Sequence, residues 1–283
     1  MKRLIKRTLR YLGYDILRVD KYPTQTELYD KAKNYPYIEQ FEMKTIRFRH
    51  WITDDIFKSW YDPINQRDWC VNEGYLRLVR RSDKILEVGC QIGFTTCLLR
   101  SAVGEDGFVV GMDIVPVNCL IANSQIGLNA FQNCHILNLA AADFHGKVRV
   151  NNVHNGSVEL HRIENTINID AIRCDELIDQ YGYFDVLKID VEGFETSVLK
   201  GCTELLSKKP RLLVELHGSE LRKYGSNYRE LFQLINANGY EGYMCVEQYK
   251  PDARNQLEEF NLEFLIASDV HANIFLRPKS STF

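Results

Sequence analysis

Lys188, Asp190, Glu192 and Glu195 gather around Gly193 in the stretch DVLKIDVEGFE, residues 185–195, where an apolar strand pattern runs straight into acids. Burying such groups is costly unless they are paired or bound, so the segment predicts a strand exit at which a ligand meets them. A second set lies in LEVGCQIGF, where Glu87 precedes a glycine loop, Gly89 to Gly93, that leads directly from strand to helix. Glycine at such a turn lets the backbone approach a ligand closely. A third is Asp113 at the end of GFVVGMDI. An acid at that strand end can take both hydroxyls of an adenosine ribose. A fourth, VELHG, sets Glu215 and His217 at another strand exit.

The glycine spacing bears on which nucleotide is bound. A pyrophosphate cradle takes G-x-G-x-x-G, whereas here Cys90 and Gln91 fill the crowded part of the turn. S-adenosylmethionine carries no phosphate and needs fewer glycines, and Glu87 suits a polar or cationic ligand better than a pyrophosphate. The loop therefore points to the sulfonium cofactor ahead of a dinucleotide, with Glu87, Gly89, Cys90, Gln91, Gly93 and Asp113 as its binding set. Ala141 and Asp143, in NLAAADFHG after the third strand, are the neighbours expected for the adenine.

The elements that must position these groups follow from hydrophobic periodicity. KILEVG (84–89), GFVVGMDI (107–114), CHILNLA (134–140), FDVLKID (184–190) and PRLLVEL (210–216) are near-continuous apolar runs, as in a parallel sheet covered on both faces. Helical patterns alternate with them, which predicts a Rossmann-like α/β domain, doubly wound around a mostly parallel sheet. KVRVNN (147–152) and TINIDAI (166–172) read as extra strands flanking the turn-like HNGS. A helix near 226–238 and two strands, 242–248 and 273–279, follow, the last two as an antiparallel edge. Residues 1–69 fall outside the alternation and form an N-terminal extension to a domain over 70–283; they hold Trp51, Trp60 and Trp69, a candidate cap, lid or sugar-stacking surface.

LKIDVEGFETSVLKG resembles the signature of the FkbM family of S-adenosylmethionine-dependent methyltransferases, which reads Lys-Ile-Asp-Val-Glu-Gly, an acid two residues later and a Val-Leu-x-Gly ending. LEVGCQIGF, GMDIVPVN and LLVELHG fall in the family's order, and the resemblance covers residues 70–279. Glu87 stands where Asp is usual, Cys90 for Ala, Gln91 for Asn, and Asp113 for Glu. The resemblance implies a class I methyltransferase fold and O-methylation, often of a sugar in a glycan or glycolipid, or of a secondary metabolite. In such a transfer an oxygen attacks the sulfonium methyl in line. Alignment supplies up to about 7–11 kcal/mol and a general base roughly 10²- to 10⁴-fold. Asp190 is expected near the cationic methionine end, and Asp190 or His217 as the base. Glu215 would orient His217 or touch the acceptor. Lys188 is either part of this catalytic set or the buried partner of an acid. Glu192 can tie down the loop after the strand, and Glu195 favours a helix's first turn. Asp190, Glu215 and His217 are also donors that magnesium or manganese accepts, but spacing alone assigns no metal.

Composition narrows the partners. With 35 basic and 38 acidic residues the net charge is −3, so no global basic field points to nucleic acid. Eight scattered cysteines without a C-x-x-C pair read as reduced thiols of a cytoplasmic protein. No apolar run is long enough to span a bilayer. The first ten residues carry five cations and no acid, interleaved with Leu4, Ile5 and Leu9. A basic amphipathic helix over residues 1–17 could rest on the inner face of a membrane or pack on a partner. The competing readings are a scaffold that keeps the cofactor fold without catalysis, and an NAD-dependent oxidoreductase.

Overall fold

The computed structural model describes residues 35–61, 69–151, 155–159, 166–246 and 256–279. The expected amphipathic helix over residues 1–17 lies outside the described residues, as does the side chain of Trp69.

An eight-stranded sheet forms the centre. Five strands run parallel: β3 (Lys84–Val88), β4 (Phe108–Met112), β5 (Cys134–Leu137), β9 (Val186–Ile189) and β10 (Arg211–Leu216). Their order is β10-β9-β3-β4-β5, and β13 (Ala272–Pro278), β11 (Tyr240–Val246) and β12 (Glu258–Glu259) extend it antiparallel beyond β10. The chain reverses direction across the sheet beside β3, so the exits of β3 and β9 open a crevice at the carboxyl edge, where such sheets bind ligands. The fold is doubly wound and mostly parallel. β13 inserts between β10 and β11 and is antiparallel to both, so the edge expected of the last two strands is real and lies against the core strand.

Ile85, Leu86, Val109, Val110, Val186, Leu187, Leu212 and Leu213 are buried. Adjacent residues of a strand point to opposite faces, so these runs are apolar throughout because helices cover both sides. On one face lie α2 (Trp69–Leu78) and α3 (Phe94–Val103); α4 (Pro116–Leu128) packs beside α3. On the other lie α5 (Glu195–Lys200), α6 (Tyr228–Leu234) and α7 (Leu262–Ser268). The helix expected near 226–238 is shorter, because Asn236 takes a left-handed conformation at φ 51° and ends it.

Two features outside the central sheet matter. The extra strands, β7 (Gly146–Asn151) and β8 (Thr166–Ile172), form as expected and make a separate three-stranded sheet, in which β8 pairs with both β7 and β6 (Ala140–Ala141). Residues 37–52, placed outside any element by the α/β alternation, form a hairpin of β1 (Tyr37–Met43) and β2 (Ile46–Ile52), followed by α1 (Asp55–Tyr61). Phe41, Met43, Ile46 and Phe48 share its buried face against Phe94 of α3, with ring centroids of Phe41 and Phe48 at 5.2 and 5.3 Å from Phe94. The alternation in FEMKTIRFRHWI is the period-2 signal that carries this hairpin.

Candidate active site

A cavity of about 340 Å³ opens at the carboxyl edge of β3, β4 and β9, within the ~300–1,000 Å³ usual for small-molecule sites. Asp190, one residue beyond β9, faces it, with Lys188 behind. The Lys188 ammonium lies 3.0 Å from the Gly89 carbonyl, 3.3 Å from Asp190 Oδ2 and 3.4 Å from Glu87 Oε1. Lys188 is 2% exposed and Glu87 fully buried. Burial opposes the charge on Lys188, but Asp190 and Glu87 outweigh it and hold the ammonium well above its ordinary range. Burial would also lift Asp190; the Lys188 charge prevails and the carboxyl is held below its usual value. Asp190 is thus a fixed anion on the cavity wall.

Glu87 has a different place from the one expected. It lies beneath the loop, with Thr96 donating to its Oε2 at 2.6 Å, and does not line the cavity. Burial raises its pKa, which Lys188 only partly restrains. The glycines serve the protein's own packing: a Cβ on Gly89 (φ 86°) would stand 1.7 Å from the Asp190 carbonyl, and one on Gly93 (φ 83°) 2.9 Å from Ala122. Gly89 therefore brings the β3 loop against the β9 exit. Cys90 lines the cavity as a neutral thiol, its pKa pushed well up by burial and then by the Asp113 and Glu87 charges.

Asp113 follows β4 and lines the cavity. Its Oδ2 accepts from the Gln91 amide at 2.9 Å, and its Oδ1 from the Val115 amide at 2.8 Å and the Asn118 side chain at 3.3 Å. Each carboxylate oxygen has two lone pairs, so Oδ2 retains one for a ribose hydroxyl. Ile114, Leu139, Ala140 and Ala141 provide flat apolar walls nearby. Asp143 is not with them: it is exposed, accepts from Ser197 at 2.7 Å and does not line the cavity, because the chain turns outward after β6. Of the two residues expected beside the adenine, Ala141 lines the cavity and Asp143 does not.

Gln91 spans the roof. Its Oε1 accepts from the Tyr61 hydroxyl and its Nε2 donates to Asn155 Oδ1 at 2.6 Å; Asn155 in turn donates to Glu192 Oε1 at 2.6 Å. This strap ties α1, the β3 loop, the segment at Asn155 and the β9 exit together across the cavity. Trp60 lines the wall beside Tyr61, while Trp51 lies away from it, its amide bonded to Gln125 at 2.8 Å. Asn72, Tyr75 and Asn273 also line the cavity and were missed, because polar residues within helices or strands carry no motif; Asn155 lines it too, and the sequence marked it only as part of a turn.

The β10 exit corrects two roles. His217 is 5% exposed and does not line the cavity; its Nδ1 is 2.6 Å from Glu195 Oε1. Burial works against a charged ring, but the Glu195 hydrogen bond and the Glu195, Glu215 and Asp190 charges raise its pKa to about 10. A ring so held carries its proton at neutral pH, so His217 is not the base that accepts one. Glu195 does open α5 as its first-turn acid, and it is also fully buried, accepting from the Gly193 amide at 3.0 Å and partnering His217. Glu215 lines the cavity, with His271 Nε2 at 2.8 Å from its Oε1. Glu192, at φ 53°, also lines the cavity; burial lifts its pKa against the opposing His217 charge.

The profile of the methyltransferase FkbM domain matches residues 87–241, more than half of the chain and all of the motifs around this cavity. The chain belongs to the FkbM methyltransferase family. Its cofactor is S-adenosyl-L-methionine, and the cavity fits it: a fixed anion for a sulfonium, an acid with a free lone pair for a ribose, and apolar walls for an adenine. No curated protein matches the sequence. Similar solved structures include a Thermotoga maritima S-adenosylmethionine-dependent O-methyltransferase at 12% identity, covering 95% of this chain and 89% of that one, TM-score 0.42. Aeropyrum pernix fibrillarin with natively bound S-adenosylmethionine is 15% identical over 74% and 76%, TM-score 0.42. The Methanococcus jannaschii fibrillarin pre-rRNA processing protein is 15% identical over 72% and 70%, TM-score 0.42. Likenesses at this level assign neither substrate nor partner to this FkbM methyltransferase. No helix among the described residues is long and apolar enough to cross a membrane.

Proposed function

We propose that this FkbM methyltransferase transfers the methyl group to a hydroxyl oxygen of a small-molecule or glycan acceptor, a sugar of a glycan or glycolipid or a secondary metabolite. The observation that carries this reading is a pair of unlike carboxylates on one wall: Asp190 held anionic by Lys188, and Glu192 raised by burial. A fixed anion suits the sulfonium, and a carboxyl with a raised pKa is the better acceptor for a hydroxyl proton at neutral pH. In this reading Asp113 and the Gly89–Gly93 loop hold the nucleoside, Ala140 and Ala141 flank the adenine, and Asp190 steadies the methionine end. Glu192 takes the proton as the acceptor oxygen attacks, and the Gln91–Asn155 strap keeps it in place. S-adenosylmethionine supplies an activated methyl group, so the chain's contribution is alignment and proton removal.

The net charge of −3 supports a non-nucleic-acid acceptor. The basic residues of 1–17 support a peripheral contact with an anionic, inner membrane face, at about 1 kcal/mol per cation near the surface, which would bring a cytoplasmic enzyme to a lipid-linked acceptor. Sedimentation with phosphatidylglycerol vesicles, and its loss on deleting residues 1–17, tests the contact.

Calorimetric titration with S-adenosylmethionine, S-adenosylhomocysteine and NAD tests the cofactor. Micromolar binding of the first two without NAD is expected, and NAD binding alone would overturn the reading. Radiolabelled methyl transfer to hydroxylated sugars, compared with RNA, tests the acceptor; label reaching RNA alone would refute the hydroxyl small-molecule class.

A further inference from the structure

Behind the cavity wall, His217, His271 and Glu215 converge. Glu215 Oε1 is 2.8 Å from His271 Nε2 and 3.8 Å from His217 Nε2, and the three donor atoms lie within 4.8 Å of one another. The two rings lean together with centroids 4.6 Å apart. His271 comes from the turn into β13, the other two from the exit of β10, so the antiparallel insertion of β13 makes the cluster.

Two independent features distinguish it from an ordinary patch of charge. The His217 ring is 4% exposed and fixed through Nδ1 by the fully buried Glu195, the arrangement that orients a metal-binding imidazole by a carboxylate behind it. Its Nε2 then points at oxygens beyond hydrogen-bond reach, Glu192 Oε2 at 3.6 Å and Glu215 Oε1 at 3.8 Å. Ligands at about 2.0–2.2 Å from one ion stand roughly 3–3.6 Å apart; the His217–Glu192 gap of 3.6 Å meets this, and the 2.8 and 3.8 Å separations of Glu215 from the two rings lie a few tenths of an ångström to either side, within the reach of small side-chain movements.

We propose that Glu215, His217 and His271 bind one divalent transition-metal ion that displaces the proton from His217 Nε2, with Glu195 positioning His217 and Glu192 facing the ion. Two imidazoles with one carboxylate favour a borderline ion such as zinc(II) over magnesium or calcium, and the carboxylates at the site also admit manganese(II). Glu215 and Glu192 also line the cofactor cavity, so the ion stands at its wall with positions open to an oxygen-bearing acceptor. That use rests on the hydroxyl-acceptor reading; the binding of the ion does not.

The test uses the full, untagged chain stripped with EDTA and titrated calorimetrically with Zn²⁺, Mn²⁺ and Mg²⁺, alongside S-adenosylhomocysteine. One Zn²⁺ or Mn²⁺ per chain is expected, weakened at least about tenfold in Glu215→Gln and in His271→Gln, and about 10- to 100-fold in Glu195→Gln. Pulsed electron paramagnetic resonance of the Mn²⁺-loaded wild-type chain should show nitrogen couplings from imidazole. Absence of that coupling, no stoichiometric Zn²⁺ or Mn²⁺ binding, or binding unchanged in both Glu215→Gln and His271→Gln overturns the proposal. S-adenosylhomocysteine binding without ion binding removes the metal site alone and leaves the cofactor assignment standing.

Discussion

Lys188 holds together two carboxylates with opposite tendencies, and its removal separates them. Lys188→Met breaks a buried ion pair, for which about 3–5 kcal/mol of stability is lost. Glu87, already raised by burial, then loses the cation that restrains it. A carboxyl with a folded pKa above its unfolded value of about 4.3 stabilises fully below that value, and the contribution disappears as pH rises through the folded pKa. The penalty of Lys188→Met should therefore be larger at pH 8 than at pH 5 in urea unfolding; equal penalties would mean that Glu87 does not depend on Lys188. The two cavity carboxylates should separate kinetically. Glu192→Gln keeps the acceptor oxygen for Asn155 and should lower kcat by about 10²- to 10⁴-fold with S-adenosylhomocysteine affinity retained. Asp190→Asn should weaken cofactor binding itself, and calorimetry distinguishes the two.

At the scale of elements, the site depends on how closely the β3 loop meets the β9 exit. Gly89→Ala would carry about 1–2 kcal/mol of left-handed strain and force the Asp190 carbonyl away from a Cβ at 1.7 Å. Both melting temperature and cofactor affinity should fall, and an unchanged affinity would show that Asp190 tolerates the shift. The β1–β2 hairpin is joined to the domain by the Phe41–Phe48–Phe94 cluster. Phe48→Ala should cost about 3–5 kcal/mol in the main unfolding transition. A separate early transition would instead mark residues 35–61 as an independent unit. The β strands of the core were legible to within a few residues, since apolar runs under two helical layers leave a periodicity that depends only on local order. The hairpin's alternation was equally present, in FEMKTIRFRHWI, but outside the α/β alternation it had no neighbouring element to imply its partner.

At the scale of the whole molecule, a ligand that binds only the folded chain stabilises it by mass action, so S-adenosylhomocysteine at 100 times its Kd should add about 2.7 kcal/mol. Thermal unfolding with and without it reads this directly, and no shift would contradict the assigned cavity. By itself the sequence determined the sheet, the family and the chemical types at its edge: the glycine loop, Asp113, Asp190 and Glu215 all sit at strand exits, and a parallel sheet must bring such exits to one edge. Only the tertiary structure decided which residues of that edge line the cavity. Glu87 and Asp143 turn away, His217 is committed to Glu195, and Gly89 and Gly93 make room for the protein's own backbone. Side-chain spacing along a strand cannot encode these outcomes, because they depend on elements far apart in the chain. Gln91 meets Asn155 and Tyr61 across the roof, and His271 reaches Glu215 through the insertion of β13. The charge each group holds was likewise set in three dimensions, where burial and neighbouring charges, invisible in a linear pattern, outweigh the residue's intrinsic pKa.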